Sequence, residues 1–296
     1  MLTHALVVAA ALLAAVFAAV GIVVRQRATL DVPADKGVSA TMFRSLLRSK
    51  LWWAGTGSAV AGYAFQALAL AYGSLILVQP LLVSALLFAL PLSARLSNRA
   101  VTRVDWAWAG LLTISLAVFV LVARTEPGDY EVSLRALFTA VVLCSAFVVG
   151  CVALALRADG WIRAELLAIA VGVLFGAIAV LTKIVMHAVT SGSGLGWLIT
   201  PALPVLLCAS VIGTLLQQSA FHAGKLQASV PTMLVLEPVV AVGLGALMLG
   251  EHLIFEGLQP IVLGATIAAM TAATIALGWG EGAHEERLEA IVEKRS

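Results

Sequence analysis

The chain has 296 residues, 61% of them apolar and 11% charged, with a net charge of +2 and a mean hydropathy of +1.04. Ordinary soluble domains are about 45–50% apolar and about 25% charged, so this composition excludes them. The charge is too small for a nucleic-acid binder.

The apolar residues gather into runs of the length a bilayer demands, about 20 residues. Read in chain order, nine predicted spans cover about 4–24, 51–71, 75–94, 104–123, 134–156, 165–189, 197–223, 226–249 and 258–279. The fold class is therefore an all-α, polytopic membrane protein. The first run has no basic segment before it, while Arg25 and Arg27 follow it directly. It reads as a retained helix rather than a signal peptide. Tyr72-Gly73-Ser74 and Gly224-Lys225 make two very tight connections, which imply hairpins with arms packed side by side. Met42, Phe43, Leu46 and Leu47 alternate with Arg44, Arg48 and Lys50, as in an amphipathic interfacial helix, and Trp52 and Trp53 follow at headgroup depth.

Basic residues in the loops set the orientation. Arg25, Arg27, Lys36, Arg44, Arg48 and Lys50 crowd the first loop, and Arg95, Arg99, Arg103, Arg157, Arg163 and Lys225 occupy later odd-numbered ones. The even loops hold Arg124, with Arg135 at a helix start. The positive-inside rule puts the C-terminus in the cytoplasm and the N-terminus outside a cell membrane. Outer-loop acids, Glu251 among them, either gather cations near an outer mouth or, more plainly, are solvated loop polarity. Cys144, Cys151 and Cys208 lie inside apolar runs and read as small packing residues.

The chain repeats itself. A shift of 151 lays Gly62 on Gly213, Gln66 on Gln217, Gly73 on Gly224 and Pro80 on Pro231, and a shift of 158 lays Phe17 on Phe175 and Arg25 on Lys183. Equivalent helices are five spans apart, so the copies have opposite topology, an inverted repeat of the kind that supports alternating access. The predicted organisation is a first repeat over 1–133, a connecting helix and loop over 134–164, a second repeat over 165–280, and a charged cytoplasmic tail over 281–296.

Glu237 lies mid-run with Pro238 behind it. A carboxylate at bilayer depth costs about 2.5–3.5 kcal/mol on insertion scales, and such a group usually faces a cavity, a partner or a substrate. Glu237 is read as the only carboxylate buried in an apolar run, placed to bind a cation, hold a coupling proton or pair with Lys183. Structural bonding to a neighbouring helix is the plain alternative. Lys183 either lines the cavity or snorkels to the headgroups. Gln66, Gln217 and Gln79 are cavity-wall amides or interhelical glue. His222 is a proton relay or, more simply, an interfacial histidine. Gly172 and Gly176 form a GxxxG for close helix packing.

Three stretches carry a family likeness: Gly21 through Arg27; Leu51-Trp52-Trp53-Ala54-Gly55 with the Tyr72 to Pro80 hairpin; and Leu236-Glu237-Pro238-Val239 through Leu249-Gly250-Glu251. The sequence resembles the drug/metabolite transporter superfamily, near its EamA-type and NIPA-like magnesium-transporter branches. Where the second half has Gly250-Glu251, the first has Asn98-Arg99, a departure from the signature. The resemblance implies a secondary transporter with a cavity between inverted halves, with Glu237 as a metal ligand only where Mg²⁺ is the substrate. No motif for an enzyme or a cofactor is present. The expected partners are the lipid bilayer and a small solute or ion, and a homodimer is compatible. A non-transporting scaffold subunit is the rival of another class.

Overall fold

The structure, a computed structural model, describes residues 2–30, 47–96, 101–126, 132–158, 160–192, 196–223, 226–253 and 257–293. Ten helices carry nearly all of it. They are α1 (Leu2–Leu30), α2 (Lys50–Tyr72), α3 (Leu75–Leu82), α4 (Ala85–Leu96), α5 (Arg103–Val122), α6 (Leu134–Ala155), α7 (Gly160–Ser191), α8 (Ala202–Ala223), α9 (Leu226–Leu249) and α10 (Gln259–Glu293). A 3₁₀ turn, Gly196–Ile199, precedes α8, and β1 (Thr125–Glu126) pairs antiparallel with β2 (His252–Leu253).

Among the described residues, seven helical stretches are long and apolar enough to cross a membrane: His4–Arg25, Leu75–Arg95, Arg103–Val122, Leu134–Ala155, Ile162–Ser191, Thr232–Leu249 and Gln259–Leu277. The chain is thus all-helical in the manner of a multi-pass membrane protein. The other two predicted spans fall on α2, which is more polar in composition, and on α8, whose apolar stretch, Ala202–Gln217, is shorter. Glycine, serine, threonine, tyrosine and glutamine interrupt α2.

Starts are set by side chains that satisfy free amide groups at helix ends. Ser49, Ser74 and Ser133 cap α2, α3 and α6, and Thr102 with Asp105 forms a capping box at α5. Trp53 donates its indole N–H to the Leu47 carbonyl at 2.9 Å and meets Trp52 edge-on, as an amphipathic pair at a helix entry does. The amphipathic segment predicted just before it lies largely outside the described residues.

Each half is organised around one helix. α1 packs on α2, α3 and α4, and α7 packs on α6, α8 and α9. α7 is the most enclosed, with 67% of its apolar window buried, whereas α6 stands at the edge with 11%. The two tight connections therefore do not bring their arms side by side as expected. α2 and α3 splay apart over α1, and α8 and α9 over α7, because each first helix wedges between the arms.

The span predicted at 75–94 is broken. Pro80 cannot donate to the Ile76 carbonyl, and past it the Val83 and Ser84 amides reach only three residues back, to Pro80 and Leu81. Helix α3 ends there and α4 restarts at Ala85. In the second half, α9 runs on without a break through Pro231 and Pro238, although neither proline has an amide to donate.

Candidate functional site

Glu237 sits on the face of α9 that lies along α7. The sequence brings the two backbones close here. A Cβ on Gly172 would stand 2.7 Å from the Leu236 side chain, and one on Gly176 would stand 2.7 Å from Val240 and 2.8 Å from the Glu237 carbonyl oxygen. The GxxxG of α7 is thus the groove that seats Leu236, Val240 and the backbone of Glu237. The side chain is half-buried. No hydrogen bond joins it to another described side chain, which leaves a carboxylate within an apolar span without such a partner.

Gln217 flanks α7 as well. It lies one turn beyond Gly213, whose Cβ position is against the Phe175 ring at 2.7 Å, and it too is half-buried. Gln66 lies on α2 between Tyr63 and Leu70, both of which meet α7. The Tyr63 hydroxyl is 2.7 Å from Thr182 Oγ1, which donates its own proton to the Ile178 carbonyl, so tyrosine is the donor. Gln66, Gln217 and Glu237 therefore all lie around α7, without a hydrogen bond among them. His222 is in the last turn of α8, where the backbone alone is described, so its predicted role lies outside the described side chains.

Lys183 is placed differently from either sequence-based reading. It neither snorkels nor faces Glu237. It lies seven residues beyond Gly176 along α7, about 10 Å further along the axis, and is 3% exposed. Its ammonium donates to the Leu70 carbonyl at 2.7 Å and the Gly73 carbonyl at 2.6 Å. The nearby acid whose charge it feels is Glu251, not Glu237.

Glu251 overturns the reading of solvated loop polarity. It is 1% exposed. One oxygen, Oε2, accepts from the Leu75 amide at 2.8 Å and the Ile76 amide at 3.4 Å, at the first turn of α3. Gly250 makes this possible. Its φ of +67° lies in the left-handed region that glycine tolerates, and it ends α9 so that the next residue turns inward. Burial pushes the Glu251 carboxyl above its ordinary value, with the Lys183 charge and the two amides opposing. Its other oxygen, Oε1, and Nε2 of Gln79, also 1% exposed, have no hydrogen-bond partner.

A third acid was passed over in the sequence. Glu165 lies inside the spanning stretch of α7, where its Oε1 accepts from the Thr232 hydroxyl at 2.5 Å and its Oε2 is buried without a partner. Among the described residues, Glu237 is therefore one of three carboxylates within apolar spans, with Glu165 and with Asp105 of the α5 capping box, and Glu251 lies just beyond one. A cleft of about 560 Å³ lies elsewhere, between the start of α6, the end of α7 and the start of α8, lined by Leu137, Ile184, His187 and Thr200 among others. Glu237 does not line it. Among the described residues, no group of three or more His, Cys, Asp or Glu could hold a metal ion.

A Corynebacterium glutamicum protein described as uncharacterized is 35% identical over 284 residues, covering 94% of this chain and 96% of its own. The chain belongs to that protein's family. Neither a family profile nor a solved structure matches it. The alignment spans nearly the whole of both chains.

Proposed function

We propose that the protein is a secondary transporter of the drug/metabolite transporter type, moving a small solute or cation by alternating access, with Glu237 as its central binding or coupling residue. The observation that carries this reading is the Glu237 carboxylate within an apolar span, on the helix packed against the glycines of α7, with no hydrogen bond to another described side chain. A purely structural glutamate at that depth would be expected to spend its hydrogen bonds on a neighbour.

Nine crossings follow when α2 and α8 join the seven apolar helices. At 23 residues α2 is about 34 Å long, enough for a hydrocarbon core of about 30 Å. Its polar residues suit a helix that lines a cavity rather than lipid. The end bearing Gly73 then faces outward and the C-terminus inward, as the loop charges require.

Packing supports the inverted repeat. Gly62 of α2 closes on α1 around Phe17 and Ala18, and its repeat partner Gly213 of α8 closes on Phe175 of α7. Each half gathers around its first helix, and the equivalent pairs α3 with α9 and α5 with α10 meet each other across the middle. A broken span beside such an interface is a recurrent transporter feature.

Flux into proteoliposomes, following Mg²⁺ and internal pH with and without candidate metabolites, tests the reading. Glu237→Gln should abolish flux, by tenfold or more, while membrane levels stay near those of the parent. Flux that persists in this variant would remove Glu237 from the path. Glu237-dependent Mg²⁺ entry selects the magnesium reading, and proton movement that requires a metabolite selects exchange.

A further inference from the structure

Lys183 and Glu251 come from the second half of the chain, and the groups they hold belong to the first. The ammonium sits on the last carbonyls of α2 and the carboxylate on the first amides of α3. Each sign matches the partial charge of the helix end it meets. Between them lies a single turn, with Gly73 closing α2 and Ser74 opening α3.

Two further ties converge on that turn. The Ser74 hydroxyl donates to Thr125 Oγ1 at 3.1 Å, and Thr125 pairs through β1 with Leu253 of β2, two residues after Glu251. The loop after α5, the loop after α9 and the α2–α3 turn are thereby drawn together over one end of the bundle.

A permanent structural joint would leave its buried polar atoms satisfied. This one does not. Glu251 Oε1 and Gln79 Nε2 are both buried and unpartnered at the same short helix. Separation would hydrate both, and that gain offsets part of the loss of the amide and carbonyl bonds. The arrangement is thus held firmly by a few groups yet is not the state in which every polar atom is satisfied.

We propose that the grip of Lys183 and Glu251 on the α2–α3 turn is a reversible latch that closes the outer end of the transport path. The proposal rests on the transporter reading for the path, but its test does not depend on flux alone.

Spin labels at Tyr72→Cys and Val189→Cys, two exposed positions, would report the separation of the turn from the end of α7. The full chain would carry Cys144→Ala, Cys151→Ala and Cys208→Ala and sit in lipid nanodiscs. The parent should give one dominant distance. Glu251→Ala, which removes the acceptor, should add a longer population in at least a third of molecules. Glu251→Gln, which keeps an oxygen for the two amides, should stay nearer the parent. A Glu251→Ala distribution identical to the parent overturns the latch.

Ser74→Cys with Thr125→Cys provides a second route that leaves both charges in place. Oxidation to the disulfide should lower flux at least tenfold, and reduction should restore it. Full flux through the completely crosslinked protein overturns the latch. If the reduced protein also carries no flux, the transport reading fails instead, and the distance measurement alone decides the latch.

Discussion

At the scale of single residues, the burial of Glu251 has a consequence for stability. Its carboxyl is held above the ordinary value of 4.5 in the fold, chiefly by burial. The native state therefore binds this proton more tightly than the unfolded chain does. Its contribution to stability is complete below the ordinary value and is lost as pH rises through the raised one. Thermal unfolding in detergent should show the protein losing stability as pH climbs above 4.5, and Glu251→Gln should flatten that slope. An unchanged slope in the variant would assign it to another group. Gln66→Leu and Gln217→Leu address the other side of the bundle. Each should weaken solute affinity severalfold, and unchanged affinity in both would take them off the cavity wall. Residue roles were only partly legible in the sequence. Glu237 stood out because hydropathy exposes a charge inside an apolar run. Glu251 did not, because a loop acid looks the same whether solvated or turned inward. The available signal was Gly250, a left-handed stop that aims the next residue back at the bundle.

Helices and their contacts follow a different logic. The seam between α7 and α9 depends on two absent side chains, at Gly172 and Gly176. Gly176→Val should destabilise the fold by about 1–3 kcal/mol through overpacking against Val240, whereas Gly243, which has open space around it, should accept valine at about 0.5 kcal/mol or less. Thermal unfolding of the two variants side by side checks this. Pro80→Ala should restore the missing amide and tend to join α3 to α4. The expected result is equal or greater thermal stability with reduced flux; equal flux would make the break incidental. Most helix starts were readable, since apolar length and caps are local properties, but ends were less so: α1 runs to Leu30 and α10 to Glu293, past the predicted 24 and 279. The break at 83–84 was not, because nearly the same proline occurs at Pro231 and Pro238 without interrupting α9. What a proline does to a helix depends on the contacts around it, and those are not local.

For the molecule as a whole, composition alone established the class, and loop charge supplied an orientation that can be checked directly. With the native cysteines removed, Tyr72→Cys should react with an impermeant thiol reagent on intact cells. Leu156→Cys should react only after permeabilisation, since it lies exposed at the opposite end of the bundle. The reverse pattern would invert the topology and, with it, the side on which the latch operates. The splaying of hairpin arms over α1 and α7 could not be read from short loops, which fix only where two helices meet and not what wedges between them.

The latch also divides evolutionary freedom unequally between the two halves. The four groups that Lys183 and Glu251 hold are main-chain atoms, the Leu70 and Gly73 carbonyls and the Leu75 and Ile76 amides. Peptide groups survive almost any substitution. The first half can therefore drift at Leu70, Leu75 and Ile76 among apolar residues of similar size without releasing its partner, while the second half has no comparable latitude at positions 183 and 251. A scan of all substitutions under selection for function should find tolerance on one side of this contact and intolerance on the other.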